Sequence, residues 1–118
     1  MNDTTPFRPD ELPPVVVRYL DAQHDRSQRQ ATSELFATDA RVVDEGIEYQ
    51  GIEAIRGWLG STVSEFTFTT TFTGQQRVSP IRWDVLARLE GDFPGGVADL
   101  RFRITWADDL ITDLVIAP

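Results

Sequence analysis

From Glu65 onward apolar and polar residues alternate almost without a break, after a first half that repeats at helical spacing. A chain written this way has to build a sheet and lay helices across one face of it. In "EFTFTTTFTGQQRV", Phe66, Phe68 and Phe72 oppose Thr67, Thr69, Thr71 and Thr73. "RWDVLARLEG" sets Trp83, Val85, Ala87 and Leu89 against charged residues, and "VADLRFRITW" sets Leu100, Phe102, Ile104 and Trp106 against Asp99, Arg101, Arg103 and Thr105. "DFPGG" and "ADD" are turn sequences, and "LITDLVIAP" supplies the last of four strands.

The first half reads differently. Residues 1–12 are polar and contain prolines, and are expected to form a flexible arm ahead of one domain over 13–118. Pro13 and Pro14 suit the opening turn of a helix, where a missing N–H costs nothing. The inward positions of that helix are Val16, Tyr19, Leu20 and Gln23, and it runs to about His24. A second short helix, about Ser27 to Phe36, offers Ala31, Leu35 and Phe36. "ARVVDE" then alternates, with Ala40, Val42 and Asp44 on one face, before Gly46 turns the chain into the short strand "IEYQ". "GIEAIRGWLG" is a third helix burying Ile52, Ile55 and Leu59. The expected class is α+β, in the order α-α-β-β-α-β-β-β-β, with an antiparallel meander at the end.

Composition removes several kinds of chemistry. With 118 residues and no cysteine, the chain offers one domain's worth of core and no thiolate or disulfide. A single histidine, His24, rules out an imidazole-rich metal cluster; as the last residue of the first helix its reading is structural, a cap on free carbonyls. The balance of 11 basic to 19 acidic residues, net −8, repels phosphate backbones and anionic membranes. The N-terminal stretch has neither the basic nor the apolar part of a secretory leader, and no apolar run approaches the ~20 residues of a membrane helix. The expectation is a cytoplasmic protein that binds no nucleic acid and no membrane. Without a Gly-x-Ser-x-Gly elbow, nucleophilic hydrolysis by a serine is disfavoured.

Four segments, "VVVRYLDAQHDRS", "ELFATDARVVDEG", "YQGIEAIRGWL" and "GDFPGGVADLRFRITW", resemble the SnoaL-like branch of the nuclear transport factor 2-like superfamily. The resemblance spans about residues 13–117. It implies a cone: a curved sheet wrapped around the long first helix, enclosing an apolar cavity. Val16, Val42, Trp58, Leu100 and Phe102 are the residues expected to line it. It also implies pairing of two copies through the outer sheet face. Members include ketosteroid isomerases, polyketide cyclases, epoxide hydrolases, dehydratases and subunits without catalysis, so the fold does not choose among them.

Three residues are the candidate catalysts. Tyr19 occupies the place of the isomerase tyrosine that donates to a developing enolate oxygen, and Asp44 that of the carboxylate that moves the proton. These types suit the task, since a phenol stays neutral at pH 7 and an aspartate can take a proton α to a carbonyl. The second isomerase donor falls on Leu100, which cannot donate; Asp99 is adjacent but alternates to the opposite face. Asp113 interrupts an apolar strand, and the resemblance turns it toward the cavity with Ile111 and Val115, leaving Leu110, Thr112, Leu114 and Ile116 outside. Plainer readings stand beside these: a core tyrosine for Tyr19, a turn residue beside Gly46 for Asp44, and the reverse facing of the last strand for Asp113. The implied function is binding of a small apolar molecule, with cofactor-free and metal-free acid–base chemistry on a carbonyl compound. The alternative is a non-catalytic binding or dimerisation module of the same fold.

Overall fold

A computed structural model describes residues 4–23, 30–61 and 68–118. The pair Pro13–Pro14 opens α1, Pro14–Gln23, as its missing donors allow, and α1 buries Val15, Val16, Tyr19 and Leu20. A 3₁₀ turn, Gln30–Leu35, follows. It stands where a second α-helix is expected, and its three-residue period turns Thr32 inward while leaving Ala31 exposed. His24, Phe66 and Thr67 lie outside the described residues.

Strand β1, Phe36–Asp44, and strand β2, Ile47–Gln50, form a hairpin in which Asp44 pairs with Ile47. Both turn residues, Glu45 and Gly46, have positive φ (53° and 78°), the geometry that matches strand twist in a two-residue hairpin. Helix α2, Ile52–Ser61, buries Ile55, Trp58 and Leu59. Strands β3 (Phe68–Ser79), β4 (Arg82–Gly91), β5 (Val97–Ala107) and β6 (Leu110–Ala117) complete one six-stranded sheet. Its order is β2-β1-β6-β5-β4-β3. All pairings are antiparallel except that of β1 with β6, which closes the meander back onto the first hairpin. The result is the expected α+β cone, two helices on one face of a curved, open sheet. Among the described residues no helix is long and apolar enough to cross a membrane.

The expected facing of the last strand holds at Ile111 and is reversed beyond Thr112. Thr105 pairs with Asp113 and Trp106 with Ile111, so Thr112 has no opposite residue and forms a bulge. The bulge resets the alternation: Ile111 and Leu114 are both 0% exposed inside, and Asp113 is turned outward. Without an extra residue the two-residue period would have put Leu114 and Ile111 on opposite faces. The Thr112 hydroxyl donates to the Thr105 carbonyl at 3.3 Å, which helps to hold the bulge.

Residues 4–12, expected to be loose, are docked. Thr5 exchanges both backbone hydrogen bonds with Gln75 (2.8 and 2.9 Å), adding a bridge to the β3 edge. Gln75 is 0% exposed, and its side-chain oxygen accepts the Arg8 N–H at 2.9 Å while its amide reaches Glu11 at 3.4 Å. Phe7 packs on Phe72 with ring centroids 5.1 Å apart, and Leu12 enters the core. The close approach is possible because residue 74 is glycine. A Cβ there would meet the Thr4 methyl at 2.9 Å and the Thr5 carbonyl oxygen at 3.1 Å.

Two substitutions test these features by chemical denaturation. Leu114→Ala should cost about 2–5 kcal/mol by opening a core cavity, whereas Val115→Ala, one residue on and facing out, should cost about 1 kcal/mol or less. Gly74→Ala should cost about 1–3 kcal/mol by overpacking and should expose the arm ahead of Leu12 to proteolysis. An arm equally resistant in wild type and variant would mean that its docking does not depend on this glycine.

Candidate functional site

Asp44 is the last residue of β1 and shares the inner face with Val42. Its neighbours across the ladder are aliphatic on both sides, Ile47 of β2 and Ile116 of β6. The carboxylate is half-buried and accepts a hydrogen bond from the Trp58 indole N–H at 3.1 Å. Among the described residues this is the hydrogen bond its side chain makes. Trp58 reaches it from α2, where the i, i+3, i+4 spacing of Ile55, Trp58 and Leu59 turns all three inward. Tyr49, which pairs with Val42 on β2, brackets the indole with ring centroids 6.1 Å apart. The sequence therefore brings an aspartate and a tryptophan fourteen positions apart into one contact. One carboxylate oxygen is engaged by a neutral donor, and the group keeps lone pairs for a further proton or hydroxyl.

Tyr19 enters the interior from α1 at 3% exposure, its ring edge-on to Phe36 with centroids 5.8 Å apart at 90°. Phe36 stands opposite Ile111 and Asp44 opposite Ile116 on the neighbouring strand. Tyr19 thus packs against the first residue of β1, while Asp44 is its last. Val16, Val42 and Phe102 are buried in the common core, and Leu100 is half-buried beside Ala87.

Asp113 does not join them. It sits opposite Arg41 on β1 and takes a two-pronged hydrogen bond from that guanidinium, 2.7 Å from Nε and 3.4 Å from Nη2. The hydrogen bond and charge of Asp113 raise the Arg41 guanidinium above its ordinary value, with Glu48 adding to it. On the same outer face Asp99 pairs with Arg88 at 3.1 Å, and Arg101 turns away from the interior onto Asp84 at 2.9 Å. The outward facing of the β5 arginines agrees with the alternation of the sequence.

Two of the hollows on the described surface are lined by neither Tyr19 nor Asp44. One of about 320 Å³ is bounded by Glu11, Leu12, Pro13, Arg77, Trp83 and Trp106. The other, about 240 Å³, is bounded by Arg18, Ala22, Ala31, Thr32 and Leu35. The first was not foreseen. Trp83 and Trp106 read simply as inward strand residues, and Glu11 and Leu12 as part of a loose arm.

Solved structures agree with this architecture. A candidate polyketide cyclase from Sinorhizobium meliloti is 32% identical, covers 94% of this chain and 100% of its own, and superposes with a TM-score of 0.79. A Catenulispora acidiphila protein with a ketosteroid isomerase-like fold, solved with trimethylamine, is 22% identical over 90% of this chain and 85% of its own, at a TM-score of 0.74. The Δ5-3-ketosteroid isomerase of a Mycobacterium species is 20% identical over 88% of this chain and 92% of its own, at 0.64. No family model and no curated protein matches the sequence. The chain belongs to the nuclear transport factor 2-like family of ketosteroid isomerase-like and polyketide cyclase-like folds.

The Asp44–Trp58 contact can be measured directly. In a double-mutant cycle of Asp44→Ala and Trp58→Phe, urea unfolding should yield a coupling of about 1–2 kcal/mol, the size expected for a part-buried hydrogen bond to a carboxylate. A coupling near zero would show that the indole N–H contributes nothing to holding Asp44.

Proposed function

We propose that this protein is a SnoaL-like small-molecule binder that performs acid–base chemistry on an apolar, enolisable carbonyl compound, with Asp44 as the proton carrier. The observation that carries the proposal is the half-buried Asp44 carboxylate, framed by Ile47 and Ile116 and oriented by the Trp58 indole N–H. Such a group can lift a proton from carbon next to a carbonyl and return it elsewhere. Tyr19 is the proposed donor to the oxygen that gains charge. With Leu100 where a second donor would stand, a single phenol has to stabilise the enolate, which suits isomerisation, aldol cyclisation or dehydration of an activated carbonyl. The kinship with a candidate polyketide cyclase and a ketosteroid isomerase supports this substrate class. The proposal extends to a cytoplasmic homodimer paired through the outer sheet face.

A second reading has its own support. Val16, Val42, Trp58 and Phe102, expected to line the cavity, are packed as core. A domain filled in this way fits a binding or dimerisation module without an assembled catalytic site.

Turnover of a panel of β,γ-unsaturated and β-dicarbonyl ketones separates the two. On the catalytic reading Asp44→Asn should lower kcat by about 10²–10⁴-fold, and Tyr19→Phe by at least about tenfold. Asp113→Asn, on the outer face, should change it by no more than about twofold. Ketone binding that persists in Asp44→Asn, with no turnover by any form, would leave the non-catalytic reading standing.

A further inference from the structure

The hollow between the N-terminal arm and the β3–β4 end of the sheet lies away from Asp44. Asp44 stands in the row of Ile116 and Phe102, and Trp106, which lines this hollow, lies four residues beyond Phe102, roughly 13 Å of extended chain. Its walls come from three strands and the arm. Arg77 of β3 stands directly opposite Trp83 of β4, which stands opposite Ile104 of β5. All three therefore share the inner face, and Trp106 follows two residues beyond Ile104. The Trp106 N–H donates to the Ile81 carbonyl at 3.0 Å, tying the strand end to the neighbouring turn. Glu11, Leu12 and Pro13 form the facing wall.

Two tryptophans line the hollow, and the charges beside them are not balanced. The Glu11 carboxylate is engaged on both oxygens, by Arg8 at 3.7 Å and by the Gln75 amide at 3.4 Å. Arg77 has no hydrogen-bond or ion-pair partner among the described residues, and its guanidinium is exposed. The unmatched charge in the hollow is positive. A guanidinium beside aromatic faces recognises a planar carboxylate attached to a flat ring: the fork takes both oxygens, and the ring lies on indole. The hollow's volume of about 320 Å³ suits one such molecule of one or two fused rings. The net charge of −8 opposes an anion at long range, but that repulsion is screened beyond about 8–10 Å at physiological salt.

We infer that Arg77, Trp83 and Trp106 form a binding site for a small aromatic carboxylate, separate from the Asp44 centre. Three probes with the same ring and different charge test it: indole-3-acetate, indole and tryptamine. Binding is followed on the indole N–H resonances of this chain's three tryptophans by NMR titration. Indole-3-acetate should bind at least about tenfold more tightly than tryptamine, one charge-assisted pair's worth, and should shift Trp83 and Trp106 rather than Trp58. Arg77→Gln, at an exposed position that leaves the fold intact, should erase the preference for indole-3-acetate over indole. Asp44→Asn should leave it unchanged, so the outcome is independent of the catalytic proposal. Preference for tryptamine, shifts centred on Trp58, an Arg77→Gln variant that binds like wild type, or no binding of indole-3-acetate at 10 mM, on the order of the weakest specific affinities, would each overturn the assignment.

Discussion

A six-stranded sheet with one apolar face must cover that face, and this chain has only two ten-residue helices among its described elements with which to do it. Each spans about 15 Å, while β3 and β5, with twelve and eleven residues, run to roughly 36–40 Å. The helices therefore protect the middle of the sheet, where Val42, Val85, Phe102, Ile104 and Leu114 are buried. The ends need other solutions. At the β1–β2 end, α2 brings Trp58 over Asp44. At the β3–β4 end the arm runs back across the sheet, and its fit over Trp83 and Trp106 leaves a hollow. Both candidate sites thus follow from the same shortage of helical cover.

Three carboxylates on or beside this sheet show what burial demands of an acid. Asp84, 3% exposed, is held by Arg82 at 3.1 Å and Arg101 at 2.9 Å. A carboxylate stripped of water needs matched charge and several donors, and here two guanidinium groups occupy its oxygens. Asp113 is gripped from two nitrogens of Arg41. In both, the lone pairs are committed to structure. Asp44 is half-buried and meets a neutral donor, so of the three it is the one with capacity left for a ligand. That comparison, more than position in the chain, favours Asp44 as the proton carrier.

The elements that were legible in the sequence are those set by local period. Alternation placed Trp83, Val85, Ala87 and Leu100 through Trp106 on the correct face, because a strand without a bulge keeps parity. The Asp44 position followed from the same rule, read from Val42 to the turn at Gly46. What escaped depends on distant partners. The bulge at Thr112 has no glycine or proline to announce it in "LITDLV", and it exists because β6 must pair with β1 and β5 at once. The docking of the arm rests on contacts such as Arg8 to Gln75, sixty-seven positions apart. A glutamine in an alternating strand gives no hint that its amide will be sealed inside by a segment from the other end of the chain.

Resemblance in sequence bears unequally on the two ends of the sheet. The segments that carry it include Tyr19, Asp44 and Trp58, so the proposed chemistry there draws on the family. Arg77, Trp83, Glu11 and Leu12 lie outside those segments. A shared fold guarantees the curved sheet and the shortage of cover, but it does not decide which side chains the chain places at the uncovered end. Here the docked arm makes that decision. It pairs Glu11 with Arg8 and Gln75, seals Gln75, and leaves Arg77 as the charge the proposed ligand would meet. The specificity proposed for the hollow at Arg77 therefore depends on this chain's first twelve residues as much as on its sheet.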